Sequence, residues 1–177
     1  RDNNCDPDQI VSRVQKSIIN TSKKQCGFTP CTPQGIVTLL DFYGFKGMGK
    51  RALIIGCGRV GRPLGLMLLA RGMTVSYIDR HTRHIDTIKR IRDTDLLVVA
   101  VGIRGVIDTG LISSHTVVVD VGIHQTATGK TVGDLVLKNL LDNEKNGRVE
   151  GIDRTPVPGG VGPMTVAMLL ENTVISW

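Results

Sequence analysis

The sequence predicts an α/β domain: a doubly wound parallel sheet with helices on both faces, preceded by a short helical N-terminal segment. Three observations predict it. Short apolar runs recur from residue 51 onward, "RALII", "DLLVVAV" and "TVVVDVG" among them, each closing on Gly or Asp. Helical stretches separate these runs. The turn after the first run, "GCGRVG" at 56–61, is rich in glycine. Apolar runs without polar alternation suit strands buried on both faces, as in a parallel sheet covered by crossover helices.

In chain order, residues 1–30 form a polar, peripheral segment and residues 31–177 the folded domain. "CDPDQIVSRVQKSII" offers Asp6 as N-cap and Pro7 at the first helical position, with Ile10, Val14 and Ile18 on one face. Thr32 and Pro33 start a second helix, whose Ile36, Leu39, Leu40 and Tyr43 recur at helical spacing before "YGFKGMGK" ends it. "RALII" is the first strand, and "RPLGLMLLAR" the helix after the glycine turn, stopped by Gly72. "MTVSYI" is a strand ending at Asp79, and a charged helix spans 83–92. "DLLVVAV" and "TVVVDVG" are the most continuously apolar strands. "HQTATGKTVGD" reads as a loop with a small turn, "DLVLKNLLDN" as a helix, and "RVEGID" as a last strand. Three prolines and three glycines then crowd the eight positions Pro156 to Pro163, before an apolar helix. Pro fixes φ and Gly removes the side chain, so this stretch is shaped to present backbone to another surface. Pro163 suits the first turn of the helix that follows.

At 177 residues the chain can bury the core of one domain. Aromatics make up only 3%, which argues against stacking platforms for single-stranded nucleic acid. The formal net charge of +6 comes from scattered basic residues, which suits an anionic small molecule and a solvated surface. Cys5, Cys26, Cys31 and Cys57 lack CxxC spacing and read as reduced thiols, pointing to a cytoplasmic location, with the mitochondrion as alternative. No apolar run reaches membrane-spanning length. The start at Arg1 suggests a processed or partial chain.

Gly56-Cys57-Gly58-Arg59-Val60-Gly61 is a GxGxxG set between a strand and a helix, the context in which it binds a dinucleotide. Gly56 permits the tight turn, Gly58 lets backbone approach a pyrophosphate, and Gly61 lets helix pack on strand. The helix N-terminal amides would face the phosphates. Asp79, 23 residues beyond Gly56, closes the second strand, where a carboxylate can take ribose hydroxyls. The domain is thus of Rossmann type. Asp79 favours NAD by repelling a 2′-phosphate, whereas Arg62 and Arg80 could bind that phosphate. The residues leave NAD and NADP both open. Val101 and Gly102 end one strand and Gly122 and Ile123 follow another, so these are candidate cofactor walls, Ile123 packing on a ring face. His81, His84, His115 and His124 show no metal-ligand spacing, and no metal site is expected. Asp120 and His124 are the nearest groups that could move a proton, yet neither has a recognisable partner in the sequence.

The stretches "PCTPQGIVTLL", "GKRALIIGCGRVGRPLG", "LLVVAVG", "VVVDVGI", "VGDL" and above all "TPVPGGVGPMTVAMLLENT" resemble the bifunctional methylenetetrahydrofolate dehydrogenase/cyclohydrolases over about residues 29–175. The resemblance implies a Rossmann domain binding NADP, or NAD in some members, beside a separate N-terminal domain that supplies the catalytic groups. It implies hydride transfer from methylenetetrahydrofolate to nicotinamide, then hydrolysis of the methenyl product to 10-formyltetrahydrofolate. It places Pro158, Gly159 and Gly160 beside folate and nicotinamide, and Gly56, Cys57, Gly58 and Ile123 on the cofactor. Arg62 and Arg80 fall where members contact the 2′-phosphate, and a homodimer is expected. The chain departs from the pattern in its compact GxGxxG and in Asp79, where members usually carry His. The family's Tyr-x-x-x-Lys and Gln-Leu-Pro-Leu-Pro segments are absent, so no catalytic residue is assigned here. Two readings follow: the cofactor domain of such an enzyme, or a stand-alone module that binds or senses NAD(P) without catalysis. A nucleic-acid partner and a membrane are not expected.

Overall fold

The computed structural model describes residues 28–136 and 153–176. The helix expected after Asp6, most of that in "DLVLKNLLDN", and residues 148–152 of the expected last strand lie outside these residues. The elements in order are α1 (Cys31–Phe42), β1 (Arg51–Ile55), α2 (Gly61–Leu69), β2 (Thr74–Ile78), α3 (His84–Arg92), β3 (Leu96–Val99), β4 (Val117–Asp120), β5 (His124–Gln125), β6 (Thr131–Val132) and α4 (Val161–Ile175). A 3-10 turn at Thr109–Leu111 precedes β4.

Four strands form a parallel sheet in the order β2-β1-β3-β4. Beyond β4, Arg154 bridges Val118 in parallel, with Val118 N–H donating to Asp153 O and Thr155 N–H to Val118 O. Alternation along the strands feeds two cores. Leu53, Ile55, Leu97, Val99 and Val118 pack on one face with Ile78, Ile91, Ile107, Ile112 and Leu135. Ala52, Ile54, Leu96, Val98 and Val119 pack on the other with Ile36, Val37, Leu40, Leu64 and Leu68. Both faces are covered, which is why the strands read as unbroken apolar runs. Each buried Leu or Ile contributes about 1.5–3 kcal/mol.

Two glycines set how closely helices approach. A side chain at Gly35 would meet Met164, so α1 lies tightly on α4. A side chain at Gly65 would overlap the Tyr77 ring, so α2 rests on β2. Thr165 Oγ1 donates to Thr32 Oγ1 (3.1 Å) and Asn172 Nδ2 to Thr29 O (3.0 Å), fastening α4 to α1. The opposite side of α4 leaves Val166, Leu169, Leu170, Val174 and Ile175 exposed.

The structure corrects the loop expected at "HQTATGKTVGD". It holds a small antiparallel hairpin, His124–Gln125 on Thr131–Val132, closed by Thr126 N–H to Lys130 O. Two-residue strands carry too short a pattern to separate from a turn. Asp134 to Val136, expected to open a helix, are not helical. The main-chain N–H groups of Asp134 and Leu135 are instead drawn to the Asp120 carboxyl group.

Candidate cofactor site at the carboxyl ends of the strands

The chain passes from β1 outward to β2 and then returns to the other side of β1 for β3. Neighbouring connections therefore diverge between β1 and β3, and open α/β sheets bind ligands at this switch point. Gly56, at the end of β1, sits there with φ +109°. Its N–H donates to Ile78 O (2.9 Å), which brings the start of the glycine loop beside Asp79. A side chain on Gly56 would strike Ala100 O and come 3.2 Å from Val101 Cγ1, so the loop also abuts the end of β3. Gly61 has no room either, because a side chain would meet Gly56 O and Ile54.

Gly58 differs. A Cβ there would meet nothing within 4 Å, and its φ is not positive. Among the described residues nothing requires a glycine at 58, whereas the fold itself requires those at 56 and 61. No side chain caps the amino end of α2, which begins three residues later. Open space before an uncapped helix N-terminus is what a phosphate group needs. Cys57 is half-buried in the loop, and burial, with Cys57 as a smaller influence, raises the Tyr77 pKa.

Asp79 takes the position at the end of β2. Its Oδ1 accepts from His81 N–H (3.0 Å) and Thr82 Oγ1 (3.1 Å). The His81 amide first, then the Thr82 hydroxyl, hold its carboxyl below the usual carboxylate range, so it is ionised at neutral pH. Arg80 turns toward its neighbour, Nε donating to His81 Nε2 (3.2 Å). Arg62 contributes its carbonyl to the Tyr77 hydroxyl (3.4 Å).

The second wall stands on two buried carboxyl groups. Asp120 Oδ1 accepts from Gly122 N–H (2.9 Å) and Asp134 N–H (3.0 Å), and Oδ2 from Leu135 N–H (3.0 Å). Asp134 Oδ2 accepts from both Val101 and Gly102 N–H at 3.0 Å, and Oδ1 lies 2.6 Å from His124 Nε2. The sequence offered no partner for Asp120 or His124; the structure gives His124 a fully buried one in Asp134. Asp134 was visible only within "VGDL". The signal that could have found it is the glycine beside each carboxyl group, since side chains at Gly122 and Gly133 would collide with Asp134 and Asp120 respectively.

Ile123, 67% exposed, projects beyond this wall. It borders a cleft of ≈ 150 Å³ whose far side is Pro156 to Pro163. That stretch contains a cis Val157–Pro158 bond, and Gly159 at φ +107°, a backbone state that side chains resist. Pro163 falls in the first turn of α4. A larger groove of ≈ 690 Å³ runs past Lys46, Lys50 and Val117. Lys50 precedes β1 and Val117 opens β4, so one part of that groove lies at the amino ends of the strands, while Pro156, Gly159 and Gly160 line another; only the smaller cleft also reaches Gly122 and Ile123. The smaller cleft is the candidate. Among the described residues no cluster could hold a metal ion, and no helix is long and apolar enough to cross a membrane.

The glycine loop, Asp79, Val101, Gly102, Gly122 and Ile123 thus share one end of the sheet, with Pro158 to Gly160 across the cleft from Ile123. Comparison with known proteins gives this arrangement its relatives. Residues 30–177 match the tetrahydrofolate dehydrogenase/cyclohydrolase NAD(P)-binding domain. The bifunctional protein FolD of Campylobacter jejuni is 44% identical over 153 residues, 86% of this chain and 51% of that protein. The crystal structure of a Campylobacter jejuni FolD superposes with a TM-score of 0.76 at 39% identity, covering 94% of this chain and 54% of that one. FolD from Trypanosoma brucei, solved with NADP and an inhibitor, gives 0.73 at 30% identity, covering 93% and 54%. The chain spans about half the length of these relatives. It belongs to the tetrahydrofolate dehydrogenase/cyclohydrolase family, whose NAD(P)-binding domain it matches.

Proposed function

We propose that this chain binds NAD(P) for a bifunctional enzyme that oxidises 5,10-methylenetetrahydrofolate and hydrolyses the methenyl product to 10-formyltetrahydrofolate. The observation that carries the reading is Gly58: a glycine with open space around it, at the switch point, before an uncapped helix. Gly56, Cys57, Gly58, Arg59, Val60, Gly61 and Arg62 would hold the pyrophosphate side, and Asp79 the adenosine ribose. The His81 amide and the Thr82 hydroxyl hold Asp79 through Oδ1, and the carboxylate would take a ribose hydroxyl through Oδ2. Val101, Gly102, Gly122 and Ile123 would border the nicotinamide half, and Pro158, Gly159 and Gly160 would face folate across the cleft. When bound, the nicotinamide supplies the hydride acceptor. The chain's own part is to orient that ring and shield one side of the cleft.

The family's second half would complete the folate site, seated on the exposed Val166, Leu169, Leu170, Val174 and Ile175 of α4. We take a homodimer and a cytoplasmic location as part of the same reading. The alternative, a module that binds NAD(P) without catalysis, shares the cofactor site and lacks the folate step.

Calorimetric titration with NAD and NADP tests the reading, since saturable binding of at least one is required. It also separates the cofactors. Asp79 repels a 2′-phosphate, and Arg80 lies next to it as the compensating charge. Arg80→Ala is expected to weaken NADP more than NAD by about 1.5–3 kcal/mol, the scale of a charge-assisted hydrogen bond. Equal losses for both would make Arg80 a plain surface charge.

A further inference from the structure

We propose that Asp134 is a positioning residue for the nicotinamide half of the cofactor site, an inference that rests on the cofactor reading above. Its side chain is fully buried. Three segments converge on it: Val101 and Gly102 N–H after β3 on one oxygen, His124 Nε2 in β5 on the other, and Gly122 packed so closely that it must lack a side chain. Val101 and Gly102 form one wall, Gly122 and Ile123 the other. A single carboxyl group therefore joins two walls that the chain order keeps 20 residues apart.

The placement of the site decides which part of the ligand feels this. The pyrophosphate belongs to the β1 loop and the adenosine ribose to the end of β2. The other half of the dinucleotide then extends across the ends of β3 and β4, the two segments Asp134 ties together. Val101 is half-buried and Gly102 exposed, and both N–H groups take the same Asp134 oxygen as acceptor, which fixes where that backbone sits. Without Asp134 the two amides turn to water, and the backbone after β3 loses the tether to the β4 side. Asp120 acts one step further away, holding the Asp134 main chain in place.

The test uses NADH, NADPH and ADP as probes on the 177-residue chain, with thermal unfolding measured alongside. ADP reports the β1 and β2 side alone. Asp134→Ala is expected to weaken NADH and NADPH by about tenfold or more while ADP changes less than about twofold, because only the positioned half is disturbed. Asp134→Asn keeps an oxygen for the two amides and is expected to recover most of the loss. A purely structural aspartate would lower the unfolding temperature and leave the dinucleotide-to-ADP affinity ratio unchanged, and that outcome overturns the proposal. Should the alanine variant not fold, His124→Ala decides. It removes one of the tethers, and a ratio that stays at the parent value is equally contrary. Failure of the parent chain to bind NADH and NADPH would instead sink the cofactor reading itself.

Discussion

Gly58→Val is expected to fold as the parent chain does and to lose dinucleotide affinity by about 100-fold or more. The two halves of this expectation have separate causes. A Cβ at 58 meets nothing within 4 Å and its backbone is not in the left-handed region, so the apo fold has no reason to object. The pyrophosphate, however, must reach the first amides of α2 through the space that valine would fill. Losing two hydrogen bonds to a charged group costs about 3–6 kcal/mol at the usual 1.5–3 kcal/mol each. Neighbouring glycines make the contrast. Valine at 56 or 61 would collide with Ala100 O or Gly56 O and is expected to unfold the chain rather than merely block it. Circular dichroism with calorimetry on the three variants checks this. Undiminished binding by a folded Gly58→Val would remove the glycine loop from the cofactor site.

The second large effect concerns catalysis. The 177-residue chain by itself is expected to show neither dehydrogenase nor cyclohydrolase turnover, and to gain both when a family N-terminal half is fused upstream. Hydride transfer requires folate and nicotinamide at near-attack distance. Among the described residues the stretch proposed to face folate is Pro158 to Gly160, across the cleft from Ile123. Hydrolysis requires placed proton-transfer groups. Asp120 is committed to three backbone amides, and His124 is held through Nε2 by Asp134, with no second proton-transfer group bonded to it among the described residues. Nicotinamide absorbance and methenyl hydrolysis, assayed separately, check the expectation, with Gly58→Val as background. Turnover by the bare chain above that background would require a catalytic group not recognised in these residues.

The sheet was legible because three of its strands, β1, β3 and β4, are buried on both faces. Such strands, Leu96–Val99 above all, stand out as apolar runs whatever their neighbours do. The glycine loop was legible because its spacing follows from the turn, the phosphate and the helix contact together. Asp134 was not, beyond its place in "VGDL". Its partners lie 10 and 32–33 residues away, and the neighbouring Gly133 marks a close approach without naming the amides that Asp134 accepts from. Gly65 was missed for a related reason, since its requirement comes from Tyr77 on the next strand. The β5–β6 hairpin is two residues per strand and has no periodicity to read. Long-range contacts, not local preference, set each of these.

The most direct measurement of the central claim is a map of backbone amide shifts as NADPH or NADH is titrated into the isotope-labelled chain. The account predicts saturable shifts at 56–62, 79–80, 101–102 and 122–123, with those at 46–50 and 117–118, at the amino ends of the strands, unmoved. Shifts gathered instead around Lys46, Lys50 and Val117, or no saturable shift with either cofactor, would contradict it.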